Sequence, residues 1–169
     1  MPRSLVYTAP NEISRIDDPR NIIFLAGGIT GCNNWQHDVI EKLKHSIDPD
    51  QYCIANPRRD NFPINDIDEA FNQISWEFHA LEACDIFSMY FVGSESDQPI
   101  CMYELGRNVV RMKEKYPKSW KHRIIVSIED GYKRANDVNI QLCLLGVMAF
   151  NNATPDIHAQ RIAIAASNL

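Results

Sequence analysis

The sequence predicts an α/β protein in which a mostly parallel sheet of about five strands is covered by helices on both faces. Short, almost wholly apolar runs alternate with longer segments whose apolar residues recur at helical spacing. Such runs are typical of strands buried on both faces. Regular alternation of strands and helices favours parallel strands joined by right-handed crossovers, which gives a three-layer fold.

The predicted strands are 22–26, 52–55, 86–92, 124–128 and 147–150, with a weaker edge strand at 4–8. Segment 1–21 is otherwise predicted to be irregular, and 22–169 to form a single domain. The helix predicted over 67–81 carries an apolar stripe that we expect to pack against the sheet. The stripe consists of Ile67, Ala70, Phe71, Ile74, Phe78 and Leu81.

Composition excludes several classes of function. The net charge of −5 argues against a nucleic-acid backbone or an anionic membrane surface as partner. Five cysteines without C-x-x-C spacing favour free thiols over a disulfide framework or zinc site, and the five histidines lack ligand spacing. We therefore expect no metal. Without a signal peptide or membrane-span pattern, a cytoplasmic location is expected.

The first chemically informative segment is Gly27-Gly28-Ile29-Thr30-Gly31, directly after the first long strand. In open α/β sheets, ligands bind at the carboxyl ends of the strands. Glycines there let the backbone approach a ligand closely, so Gly27, Gly28 and Ile29 are candidate substrate-binding residues. The segment matches neither a dinucleotide-binding pattern nor a P-loop, and a tight turn without a ligand is the alternative.

Glu104 is the candidate nucleophile. If its helix begins near Ile100 or Cys101, the carboxylate lies within or just past the first turn, where the helix dipole stabilises negative charge. We therefore expect a lowered pKa and an ionised side chain near neutral pH, as a carboxylate nucleophile requires. The alternative is a charge that only stabilises the helix start.

Glu77 is the second candidate catalytic residue, because it interrupts the aromatic pair Trp76 and Phe78. A carboxyl among apolar groups tends to have a raised pKa and can donate a proton. One ionised and one protonatable carboxyl would reproduce the division of roles in retaining glycosidases. A solvated glutamate on the edge of the helix is the alternative.

Asp97 and Gln98 stand just before the Glu104 helix. Either side chain would be placed to contact a hydroxyl group or a base edge, and shaping the loop is an equal alternative. Both are therefore candidate substrate-binding residues.

The motifs together resemble those of the nucleoside 2-deoxyribosyltransferases, in particular the branch called nucleoside 2-deoxyribosyltransferase-like. The matching pieces are IFLAGGITG (23–31) with Trp35, NPRR (56–59), ISWE (74–77), ACD (83–85) and YELG (103–106). Each piece is short, but five in the same order are hard to obtain by chance. They extend over about half of the chain.

The resemblance implies a flavodoxin-like fold and places Glu104 at the position of the family's nucleophile. Glu77 falls where the family has an aspartate that handles the base, and Gln98 where it has another aspartate. An asparagine from a neighbouring subunit completes the family's site. Asn139 is the best match for it, with Asp137 as an alternative, so a homo-oligomer is implied.

The implied reaction is transfer of a 2-deoxyribosyl group from a deoxynucleoside to a free nucleobase through a covalent glutamyl-sugar intermediate, and it requires no cofactor. Two alternatives stay open. One is hydrolysis of the N-glycosidic bond of deoxynucleosides or their 5′-monophosphates. The other is a non-catalytic nucleotide-binding module.

Overall fold

The computed structural model describes residues 4–11, 18–63 and 65–169, and these form one six-stranded parallel sheet flanked by helices. The strands are β1 (Val6–Thr8), β2 (Asn21–Gly27), β3 (Tyr52–Asn56), β4 (Ile86–Phe91), β5 (Ile124–Ile128) and β6 (Phe150–Asn151). The helices are α1 (Trp35–Leu43), α2 (Ile67–Ala83), α3 (Pro99–Lys115), α4 (Ala135–Leu144) and α5 (Pro155–Ser167). A short 3₁₀ helix, Trp120–Arg123, precedes β5.

The strand order is β1-β3-β2-β4-β5-β6, and every neighbouring pair is parallel. Without β1, this is the flavodoxin-like order, in which the first strand of the core lies between the second and the third. The predicted fold class is confirmed. The weaker edge strand is also present as β1, so part of the N-terminal segment joins the sheet beside β3.

One predicted strand is mostly wrong. Residues 147–149 lie outside β6, because α4 ends at Leu144 and a tight turn follows it. Gly146 adopts φ +70°, and the Val147 amide donates back to the Leu142 carbonyl at 3.0 Å. A left-handed glycine with such a return bond is a common helix C-terminus.

Alternation along the strands divides the core into two faces. In β2, Ile22, Phe24 and Ala26 belong to one buried cluster, whereas Ile23 and Leu25 belong to the other. Helices α1 and α5 cover the second cluster, and α2, α3 and α4 cover the first. A sheet covered on both faces needs apolar residues at every position of its central strands, which explains the continuous runs in the sequence.

The predicted orientation of α2 is wrong. Ile67, Phe71, Ile74 and Phe78 are 83%, 73%, 66% and 49% exposed, and Trp76, Ala80 and Leu81 are buried instead. Only Leu81 of the predicted stripe faces the core. Helical spacing identifies an apolar face but not what covers it.

Among the described residues, no helix has the length and apolar character that crossing a bilayer requires.

Candidate active site

A cavity of about 260 Å³ opens at the carboxyl ends of β2, β3 and β4, where the strand order reverses. This is the place at which open α/β sheets bind ligands. The lining residues are Phe24, Ala26, Gly27, Gly28, Ile29, Thr30, Pro57, Glu77, Ser96, Gln98, Pro99, Ile100, Cys101 and Glu104. Six of the eight predicted site residues therefore surround one cavity.

The glycine segment forms one wall of this cavity, and a side chain at Gly27 or Gly28 would crowd neighbouring atoms. A Cβ atom on Gly27 would lie 2.4 Å from the Tyr90 carbonyl oxygen and 2.5 Å from the Trp35 ring. A Cβ on Gly28 would lie 2.6 Å from the side-chain oxygen of Gln98. The Trp35 indole also donates to the Gly28 carbonyl at 2.9 Å, which fixes the wall to α1.

Glu104 faces the cavity from α3, but its predicted ionisation is wrong. It is the sixth residue of the helix, because α3 begins at Pro99. The stabilising effect of the helix dipole fades beyond the first turn. Burial, and then the charge of Glu77, raise the pKa of Glu104 to about 8, with Arg107 opposing them.

Glu77 faces the same cavity from α2. Burial raises its pKa, as the sequence predicts, and a hydrogen bond from Gln73 partly offsets the shift. The Gln73 amide nitrogen donates to Glu77 Oε1 at 2.8 Å and to the Pro57 carbonyl at 2.7 Å. Glu77 is therefore held against the loop that follows β3.

The two carboxyls form an electrostatically coupled pair. The negative charge of Glu77 disfavours ionisation of Glu104, so the pair loses its protons in two separate steps. Between these steps it carries one proton and one negative charge. Such a pair can present a nucleophile and an acid together, provided that the proton is on Glu77.

Gln98 lines the cavity, but its side chain is engaged with the backbone. Its Oε1 accepts from the Val92 amide at 3.1 Å, and its Nε2 donates to the Val92 carbonyl at 2.7 Å. Gln98 is 4% exposed and adopts φ +48° immediately before α3. It joins the end of β4 to the start of α3.

Asp97 and Asn139 lie outside the cavity within one chain. The Asp97 side chain is exposed, and its backbone carbonyl accepts from the Tyr132 hydroxyl at 3.1 Å. Asn139, on α4, exchanges hydrogen bonds of 2.8 and 3.1 Å with Asn151. Asp137 pairs with Arg134 at 2.7 Å.

Residues 20–132 match the model of a protein family described as "Nucleoside 2-deoxyribosyltransferase like". The chain belongs to this family. No curated protein shows significant similarity to it. The family match covers the glycine wall, Glu77 and Glu104, but it ends before Asn139, so it does not bear on that residue.

Several lining residues of this family member were not predicted from the sequence. They are Phe24, Ala26, Thr30, Pro57, Ser96, Pro99, Ile100 and Cys101. The sequence would have allowed two of them to be predicted. Cys101 precedes Glu104 by three residues, which places both on one helix face, and Pro57 follows β3 at the edge where ligands bind. Gln73 could have been predicted in the same way, because it lies one helical turn before Glu77 on α2.

Proposed function

We propose that this protein transfers a 2-deoxyribosyl group between nucleobases through a covalent ester on Glu104. One observation carries the proposal: two coupled, partly buried carboxyls from two helices line the same cavity as a glycine segment. The cavity volume of about 260 Å³ is close to the lower limit for ligand pockets and suits a molecule as small as a nucleoside.

Because Glu104 has a raised pKa of about 8, the reaction begins only after Glu104 has lost its proton, with Glu77 holding the proton of the pair and Glu104 the charge. A Glu104 carboxylate oxygen attacks C1′ of the sugar while the C1′–N bond breaks. The bonding electrons leave with the base, which takes the proton from Glu77. A second base then attacks C1′ of the ester, returns a proton to Glu77 and releases Glu104.

The charge of the lining favours an uncharged nucleoside over its 5′-monophosphate. Among the described residues that line the cavity, none is Lys, Arg or His, and two are carboxyls. A phosphate group would enter this site without a cationic partner and close to negative charge. We therefore place free deoxynucleosides ahead of the 5′-monophosphates.

A product analysis separates the proposal from its alternatives. The protein is incubated with each deoxynucleoside or its 5′-monophosphate, with and without a second free base, and the products are separated chromatographically. A new nucleoside supports transfer. Free base together with deoxyribose, or with deoxyribose 5-phosphate when the substrate is a monophosphate, establishes the hydrolase. Binding without turnover establishes the non-catalytic module.

We further propose that a second copy of this chain completes the site. The α2 patch (Ile67, Phe71, Ile74 and Phe78) is exposed on the helix that carries Glu77. An α4 patch (Ile140, Leu144, Leu145 and Met148) is exposed around the helix that carries Asn139. Apolar patches of this kind mark interaction sites, and packing α4 of one copy on α2 of the other would bring Asn139 towards the cavity.

Mixing two inactive variants tests the shared site. Glu104→Gln and Asn139→Ala subunits are denatured together, refolded and assayed. If sites are shared in a dimer, random pairing restores about a quarter of the wild-type sites. No recovery, in a sample whose light scattering shows a dimer, rejects a shared site and leaves the role of Glu104 unaffected.

A further inference from the structure

Gln73 makes two hydrogen bonds with one amide group at the edge of the cavity. It lies four residues before Glu77 on α2, so the two side chains share one face of the helix. Its Nε2 donates to Glu77 Oε1 at 2.8 Å and to the carbonyl of Pro57 at 2.7 Å. Both acceptors belong to residues that line the cavity.

The orientation of this amide is fixed by its partners. Its oxygen is buried and has no hydrogen-bond partner within the described ranges, whereas both protons of its nitrogen are used. Rotating the amide by half a turn would direct its oxygen at two other acceptors and lose both bonds. The unpaired oxygen costs about 1–3 kcal/mol, which the two donated bonds must offset.

This arrangement distinguishes the two oxygens of Glu77. Oε1 accepts from an amide that cannot accept in return. A proton on Oε1 would point towards the same N–H group or displace it. When Glu77 is protonated, Oε2 is therefore the favoured site of the proton.

We propose that Gln73 is a positioning residue for the reaction, holding Glu77 by Oε1 so that its acidic proton is carried on Oε2 for transfer to the leaving base. This rests on the proposed function. In the step concerned, the C1′–N bond breaks, its electron pair stays on the base nitrogen, and the base gains the Oε2 proton. Glu77 is left as a carboxylate, while Glu104 forms the new C1′–O bond.

The test compares substrates that need the acid with substrates that do not. One pair is 2′-deoxyguanosine and 7-methyl-2′-deoxyguanosine, whose base is already cationic. The other pair is 2′-deoxyuridine and its 5-fluoro derivative, whose base leaves more readily as an anion. Gln73→Met keeps the length of the side chain and removes the donor. Asn72→Met, at the exposed neighbouring position, is the matched control.

For Gln73→Met, we expect kcat on the ordinary nucleoside to fall about 10- to 100-fold, the range of a misplaced general acid. On the activated partner, kcat should fall by less than about threefold, and KM should change little for either. Glu77→Gln should show the same selectivity, and Asn72→Met should behave as wild type.

The outcomes separate the two proposals. Equal losses on both members of a pair would reject the positioning role, because a general disturbance of the site affects both substrates. Unchanged kcat on all substrates would reject it as well. If the wild-type protein turns over no member of either pair, the proposed function itself fails, before any variant is compared.

Discussion

The two faces of the sheet are built differently. Beneath α1 and α5, Trp35, Tyr90 and His158 are fully buried and in mutual ring contact, with ring centroids 4.9–5.8 Å apart. Beneath α2 and α3, the packing opens into a cavity lined by two carboxyls, and α2 exposes four of its six large apolar side chains. The two partly buried carboxyls and the exposed apolar side chains of α2 therefore belong to the same face, as expected where a site is built at some cost in stability.

The two faces also respond to protons in opposite directions. His158 bonds Ser127 through Nδ1 at 2.8 Å, and burial lowers its pKa to about 3, which keeps the ring neutral. Glu104 has its pKa raised to about 8 by burial and by Glu77, which keeps the carboxyl protonated in much of the neutral range. For both groups burial favours the neutral form, which is the unprotonated ring of His158 and the protonated carboxyl of Glu104.

The largest expected effect is on catalysis. Glu104→Gln should reduce kcat at least about 10³-fold, because the ester intermediate no longer forms. Transfer of deoxyribose between bases measures it. Glu114→Gln, an exposed position on the same helix, is the control and should retain wild-type activity. Substantial turnover by Glu104→Gln would show that another group attacks the sugar.

The next largest effect concerns the packed face. Trp35→Ala should lower the free energy of unfolding by about 3–5 kcal/mol, because it leaves a cavity and removes the hydrogen bond to Gly28. Phe71→Ala, in the exposed α2 patch, should lower the free energy of unfolding far less in a monomeric sample. Urea denaturation of both variants measures the difference, and equal losses would contradict the contrast between the faces.

The pH dependence of stability should show separate contributions from His158 and Glu104. As the pH falls from 6.5 to 5, the unfolded chain protonates His158 and the native chain does not, which costs about 2 kcal/mol of stability. As the pH rises from 5 to 6.5, above the unfolded pKa of 4.5, the native chain retains a proton on Glu104 that the unfolded chain loses, and stability falls by about 2 kcal/mol.

These two slopes oppose one another between pH 5 and 6.5, so the wild-type protein should show little change there. Glu104→Gln removes the contribution of Glu104, so the stability of the variant should rise with pH relative to that of the wild type across this range. Urea unfolding at half-unit intervals of pH tests the expectation. Parallel curves for wild type and variant would show that Glu104 does not retain its proton in the native state.

The smallest expected effect on stability is that of a substitution in the α2 patch. Phe71→Ser should change the stability of the isolated chain by less than about 0.5 kcal/mol, because the side chain has little to lose on the surface. The same change should weaken any association through the α2 patch. Light scattering over a range of concentrations measures it, with Asn72→Ser as the control. Unchanged association would place the subunit contact elsewhere.

Much of the fold could be predicted from the sequence because a doubly covered sheet requires continuous apolar strands. The runs at 22–26 and 124–128 correspond closely to β2 and β5. The exposure of Phe71 could not be predicted, because periodicity shows that a helix has an apolar face and not whether that face meets the sheet or a partner. Residues 147–149 were misassigned because an apolar segment that ends a helix resembles a short strand.

The positions of the site were more predictable than its electrostatics. Helical spacing and strand ends placed Glu77, Glu104 and the glycine segment around one cavity. The pKa of Glu104 depends on the start of α3 and on Glu77, which is distant in sequence. For Gln98, the left-handed backbone and the paired bonds to Val92 have no signature in a single sequence. Spacing in the sequence predicts where the side chains of a site lie. Their protonation depends on contacts between residues that are distant in the sequence.

The contact between Gly28 and Gln98 restricts how this pocket can change over time. A Cβ atom at residue 28 would lie 2.6 Å from the side-chain oxygen of Gln98, so this position can accept a side chain only if residue 98 becomes smaller or turns away. Lineages that acquire a new specificity should exchange the two residues together. A mutagenesis library that randomises them jointly should yield more active clones than two libraries that vary them one at a time.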